Sequence, residues 1–199
     1  MTGIPQGRFA KRPCTAKRPG ASNNKMRYDP AIHHRRSIRL QGYDYTQAGA
    51  YFVTICTQGR EYLFGEIADG QMRLNAAGEI AAATWKWLAA QHSYVELDAW
   101  TVMPNHLHGI LVLLDVSSEK KKPLGQLIGA FKTVSTKRVN ALRGAESVPL
   151  WQRNYWERVI RNEEELQVVR EYIQNNPARW AEDQLNADAA PSARHDRIL

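Results

Sequence analysis

The sequence predicts an α+β fold, an antiparallel sheet with helices on one face, close to a ferredoxin-like arrangement. Three observations carry this. Short runs rich in β-branched and aromatic residues alternate with longer stretches of helical composition. Their order reads strand, helix, strand, strand, helix, strand, helix. The chain has 199 residues, 43% hydrophobic and 24% charged, enough for one domain with a full core and some tail.

The elements follow in chain order. The run "AYFVTICTQ" (50 to 58) reads as a central strand. "YLFGEIADGQMRLN" alternates around Asp69-Gly70, a turn pair, and predicts a small hairpin. "AAGEIAAATWKWLAAQH" (76 to 92) has helical composition, with Ile80, Ala83, Trp87 and Leu88 assigned to one face. "YVELDAWTVM" (94 to 103) and "HLHGILVLL" (106 to 114) read as two strands joined at Pro104-Asn105. A second helix spans 123 to 144, with Pro123 early and Gly144 closing it. "YWERVI" (155 to 160) is a further short strand. "NEEELQVVREYIQNN" (162 to 176) is a helix capped by Asn162, with acids in its first turn, ending before Pro177.

Charge is unevenly distributed. The chain carries a net +7 and a pI near 9.5, which favours a polyanionic partner. Residues 1–36 hold Arg8, Lys11, Arg12, Lys17, Arg18, Lys25, Arg27, Arg35 and Arg36 against Asp29 alone. With four prolines and no apolar periodicity, this segment is expected to be a disordered basic arm, either solubilising or bound to phosphates. The folded domain is expected over 37–182, and 183–199 as a flexible tail. No apolar run approaches the roughly 20 residues of a spanning helix. The N-terminus lacks the apolar core of a secretory signal. With Cys14 in a polar tail and Cys56 in a strand, a disulfide scaffold is not expected either. These features predict a soluble, cytoplasmic protein with no membrane partner.

Two segments carry chemistry. In "TVMPNHLHGILVLL" (101 to 114), His106 and His108 alternate with Leu107, so both imidazoles leave one face of a strand. Such a pair can share a metal ion or hold one phosphate. Two ligands are too few for a closed structural zinc site and leave positions open, as a catalytic metal requires. In "REYIQNNPARW" (170 to 180), Tyr172 and Asn176 lie four apart, about 40° from each other around a helix. Both flank the apolar stripe of Leu166, Val169 and Ile173. Asn176 could give an amide oxygen as a third ligand, with the Tyr172 phenol one turn away. For this segment alone, packing at a helix edge followed by an Asn that ends the helix is the better account.

Taken together the segments resemble a known family. "MPNHLHGILV" resembles the HUH motif (histidine, hydrophobic, histidine), and "VIRNEEELQVVREYIQNNPARW" is similar to the tyrosine helix of single-tyrosine HUH transposases. "FKTVSTKRVN" and "LWQRNYWERVIRN" add resemblance to the REP-associated tyrosine transposase branch, over roughly residues 31 to 181. The resemblance implies an HUH endonuclease fold. It implies cleavage and rejoining of single-stranded, hairpin-forming DNA, with Tyr172 as nucleophile and His106, His108 and Asn176 as metal ligands. Soft thiolate ligands are absent, which suits magnesium or manganese.

Candidate phosphate contacts are Lys132, Lys137, Arg138, Arg153, Arg158 and Arg161, with Trp151, Tyr155 and Trp156 as candidate platforms for unpaired bases. Two other readings stay open: a metal-dependent hydrolase of small phosphorylated molecules, and a catalytically silent DNA-binding protein. Both a monomer and a homodimer are compatible with the sequence.

Overall fold

A computed structural model describes residues 40, 42–116, 120–186 and 188 of the chain. The basic arm and the predicted start of the domain at residue 37 lie outside these residues. The element order is β1 (Gly49–Cys56), β2 (Gly65–Ala68), β3 (Gln71–Leu74), α1 (Ala76–Ala90), β4 (Val95–Met103), β5 (His106–Leu113), α2 (Leu124–Arg143), β6 (Trp156–Ile160) and α3 (Glu163–Asn175). Four strands form an antiparallel sheet in the order β4-β5-β1-β6, while β2 and β3 pair as a separate ribbon. That order, with α1 and α2 as crossovers, is the ferredoxin-like arrangement expected.

Local chemistry explains the boundaries. The β2-β3 turn puts Asp69 and Gly70 at φ 54° and 70°, as a tight hairpin with two left-handed residues requires. Asn75 caps α1 by accepting from the Ala77 and Gly78 amides. Gly144, at φ 61°, closes α2 in a left-handed cap. Asn162 caps α3 by accepting from the Glu165 amide, and Glu163, Glu164 and Glu165 fill its first turn.

The helices do not all lie on one face, contrary to the sequence expectation. Alternation along β1 sends Tyr51, Val53 and Ile55 into a large core with α1 and α2, together with Leu107 and Leu111 of β5. Phe52 and Ile110 point the other way and pack with Ile160 against Val169 and Ile173 of α3. The central strand is apolar on both faces, so both need cover, and α3 supplies the second layer. The near-continuous apolar run of β1 is the sequence signal for this.

The inward face of α1 also differs from expectation. Ala81, Trp85 and Leu88 are buried, whereas Ala83 is exposed and Trp87 only half-buried. In a helix this rich in alanine the apolar stripe is broad, and tertiary packing selects the indole that fits. Trp85 fits because β5 offers Gly109 beneath it. A Cβ at Gly109 would lie 2.7 Å from Trp85 Cζ2 and 3.2 Å from Trp100 Cβ. This close approach lets the indole lie against the strand, on the opposite face from His108.

Gly109→Ala is therefore expected to destabilise the fold by about 1–3 kcal/mol, as overpacking of a filled core does. Gly129→Ala, in α2 with nothing within 4 Å of the added methyl, should instead stabilise by roughly 0.5–1 kcal/mol. Urea unfolding of both variants checks the pair, and equal midpoints would contradict this packing of Trp85.

Candidate active site

The strand register brings the histidine pair into a built environment. His106 and His108 are both fully buried on the face covered by α3. His108 lies directly across from Thr54 on β1, and its Nδ1 is 2.8 Å from Thr54 Oγ1. His106 follows the β4-β5 turn, where its Nδ1 is 2.8 Å from Asn105 Oδ1. The orientation of the Asn105 amide is set by its nitrogen, which donates to the carbonyls of Leu185 (2.7 Å) and Arg60 (3.2 Å). Its oxygen can only accept, so His106 Nδ1 must carry the proton. His106 Nε2 is then a bare lone pair turned into the site. That is how a metal-ligating imidazole is held.

Helix α3 brings the other groups. Its apolar stripe docks on Phe52, Ile110 and Ile160, and Arg170 makes a two-pronged ion pair with Asp98 (2.9 and 2.7 Å) on the irregular stretch of β4. Tyr172 thus reaches His108, its hydroxyl 3.3 Å from Nε2, with the ring edge-on to Phe52. One turn later Asn176 is buried, and its amide nitrogen donates to Asp183 Oδ2 at 3.1 Å. Its oxygen, Oδ1, is buried without a protein hydrogen-bond partner, as is His106 Nε2.

The structure therefore brings His106, His108, Tyr172 and Asn176 together, as the sequence predicts. It adds Asp183, which the sequence reading placed at the start of a flexible tail. Residues 183–186 instead pack beside the site. The Asp183 carboxylate lies 4.0 Å from His106 Nε2, and ligand atoms of His106, His108 and Asp183 all fall within 4.8 Å of one another. Among the described residues this is the one such group of histidines and acids. Buried nitrogen and oxygen donors with unused lone pairs and no thiolate suit a hard divalent cation.

Burial sets the protonation states. It lowers the pKa of His108 to about 3. It pushes that of His106 well below the usual imidazole range, helped by the nearby His108 and Arg60. Both rings are neutral at pH 7, so their lone pairs are available. Burial, and then the charge of Asp183, pushes the Tyr172 phenol up, against a hydrogen bond from Asn176 and the charge of Arg179. Tyr172 therefore rests protonated.

The proposed DNA contacts divide into two groups. Lys132 donates to the carbonyls of Gln152 and Asn154, both at 3.0 Å, and its ammonium sits over the Tyr155 ring. Arg138 bonds Thr84 and covers Trp87, while Arg158 pairs with Glu165. Each of these three cations lies beside an acceptor, aromatic ring or acid within the domain, and Arg138 is exposed as well. Trp151 is core, packed on Phe64 and Phe131, with its Nε1 donating to Ser135; Trp156 packs edge-on to Phe52. Lys137, Arg153 and Arg161 are exposed. Lys137 and Arg153 line a groove of about 700 Å³ between α2 and the 145–153 loop.

Fold and site together define a histidine-pair centre served by a tyrosine on a neighbouring helix. The family described as "Transposase IS200 like" matches residues 71–176, a segment that runs from β3 through Asn176 and contains both histidines and the tyrosine. This chain belongs to the IS200-like transposase family. It is 37% identical over 179 residues to an uncharacterized protein of Haemophilus influenzae, covering 81% of this chain and 98% of that one. Its fold is similar to that of a REP-associated tyrosine transposase bound to a REP hairpin, with a TM-score of 0.52 at 18% identity, covering 83% of this chain and 99% of that one. Among the described residues, no helix is long and apolar enough to cross a membrane.

The depressed imidazoles have a thermodynamic consequence. Unfolded, each histidine takes up a proton near pH 6.5; folded, neither does until the pH is far lower. Stability should therefore be fully present above about pH 6.5 and fall as pH drops toward 3, by up to about 1.4 kcal/mol per pH unit for each histidine. In chelator, the urea midpoint should drop from pH 7 to pH 5 more in the wild type than in a His106→Gln/His108→Gln variant. Equal drops would contradict neutral, buried rings.

Proposed function

We propose that this protein cleaves and rejoins single-stranded, hairpin-forming DNA through a covalent 5′-phosphotyrosine on Tyr172. The observation that supports this most is the Tyr172 hydroxyl 3.3 Å from His108 Nε2, within a chain of the IS200-like family. A simple phosphohydrolase has no use for a tyrosine at that distance. His106 and His108, with the amide oxygen of Asn176, would hold a magnesium or manganese ion. When bound, the ion offsets charge on the non-bridging oxygens of the scissile phosphate.

The chain's own groups then do the following. Asn105 and Thr54 hold the two imidazoles in place from behind. The docked helix holds the phenol beside His108, where it would face a phosphate bound at the ion. Tyr172 Oη forms a bond to phosphorus as the bond to the 3′ oxygen breaks; the phenol loses its proton and the leaving 3′ oxygen gains one. The phosphodiester energy is kept in the new bond, so a 3′ hydroxyl can reverse the step and join strands without ATP. The raised phenol pKa keeps Tyr172 unreactive until phosphate and cation are both in place.

A hairpin partner is carried over from the fold-related transposase, which is bound to one. The REP-associated branch is the assignment we infer within the family. Phosphate contacts fall to Lys137, Arg153 and Arg161, with the basic arm of residues 1–36 adding contacts that carry no sequence information.

Incubation with hairpin DNA bearing a single-stranded foot, in manganese, should give a slower-migrating protein–DNA species on a denaturing gel. Tyr172→Phe should remove that species at least about 10³-fold, since it deletes the attacking oxygen, while hairpin affinity stays within about twofold. Free cut DNA without a covalent species would favour a hydrolase, and uncut DNA with tight binding a silent DNA-binding protein.

A further inference from the structure

We propose that Asp183 is a metal ligand, so that the centre is completed by a carboxylate carried in from beyond the tyrosine helix. This rests on reading the site as a divalent-metal centre. Asp183 lies outside the segment that matches the family, and the three ligands that the resemblance implies, His106, His108 and Asn176, are all neutral side chains.

The argument is one of unpaired electron pairs. Asn105 forces His106 Nε2 to present a lone pair. The Asn176 amide, by donating its nitrogen to Asp183, turns Oδ1 away into a buried position with no hydrogen-bond donor. Asp183 Oδ2 stands 4.0 Å from His106 Nε2, too far for a hydrogen bond to a neutral ring. His106 and Asn176 are 0% and 4% exposed. His106 Nε2 and Asn176 Oδ1 are thus buried acceptors with no donor, which is costly, and a cation held beside Asp183 would relieve that cost.

The carboxylate is also held in place. Its Oδ1 accepts from the Leu185 amide at 2.6 Å, and the next turn is tied by Asn105 to the Leu185 carbonyl. Trp180, in the turn before Asp183, packs its ring on His106. Tyr62 fastens the segment beyond by donating to Asn186 at 2.6 Å. Asn105 therefore positions two donors at once, turning His106 on one side and anchoring the Asp183 segment on the other. A negative ligand would let the centre hold its ion before any DNA phosphate arrives.

The test is a titration of the full-length protein with manganese(II) alone, followed by loss of the free-ion electron paramagnetic resonance signal. Wild type, Asp183→Asn and His106→Ala are compared, and thermal unfolding in chelator checks that each variant is folded. One ion per wild-type chain is expected, with affinity weakened at least about tenfold in Asp183→Asn and further in His106→Ala. If His106→Ala weakens binding and Asp183→Asn does not, the Asp183 assignment falls while the metal centre stands. Tighter binding in Asp183→Asn would also overturn it, because the carboxylate would then be obstructing the site. A wild type that takes up no manganese removes the metal reading and this proposal together.

Discussion

The docking of α3 on the histidine face of the sheet is the interaction on which the rest depends. Phe52, Ile110, Ile160, Val169 and Ile173 form a small apolar patch, separate from the main core and much smaller. That patch alone would leave the helix free to slide. The pair between Arg170 and Asp98 sets its register, since a guanidinium fork on a carboxylate fixes direction as well as distance. Without the docked helix, His106 and His108 would be two imidazoles on an uncovered strand. With it they are buried, neutral, and within reach of a phenol and an amide.

The main core answers a different need. It holds β5 rigidly enough that residues of opposite parity do opposite jobs. Leu107, Gly109 and Leu111 serve α1 and α2, while His106 and His108 serve the site. The support behind each imidazole comes from places that rigid packing fixes: Thr54 from the paired strand, Asn105 from the hairpin turn. A histidine pair held this way loses little freedom when it takes a ligand.

Much of this was legible in the chain. Alternation across His106, Leu107 and His108 gave the shared face, and Asp69-Gly70 the hairpin. The Asn162 cap and Pro177 bounded the tyrosine helix, which put Tyr172 and Asn176 one turn apart. What escaped was tertiary. Nothing local says that α3 crosses to the second face; only the two-sided apolarity of β1 hints at it. Trp85 and Trp87 compete for one core position in an alanine-rich helix, and the choice depends on Gly109 of a distant strand. Lys132 and Arg138 look like free cations until the carbonyls and the ring beside them are seen. Asp183 lies beyond Pro177, which ends the tyrosine helix, and shows no apolar periodicity around it, so it reads as tail. Its place is set by Asn105, some 80 residues earlier. Thr54 could be found only once the β1-β5 register was known.

If α3 docks on its own sheet, each chain holds a complete site, and the nucleophile and the histidine pair cannot be divided between molecules. Mixing Tyr172→Phe protein with His106→Ala/His108→Ala protein tests this most directly, with covalent protein–DNA species scored on a denaturing gel beside the wild type. The account predicts that the mixture stays as inactive as either variant alone. Recovery of the covalent species in the mixture would contradict it, because Tyr172 of one chain would then be serving the histidines of another.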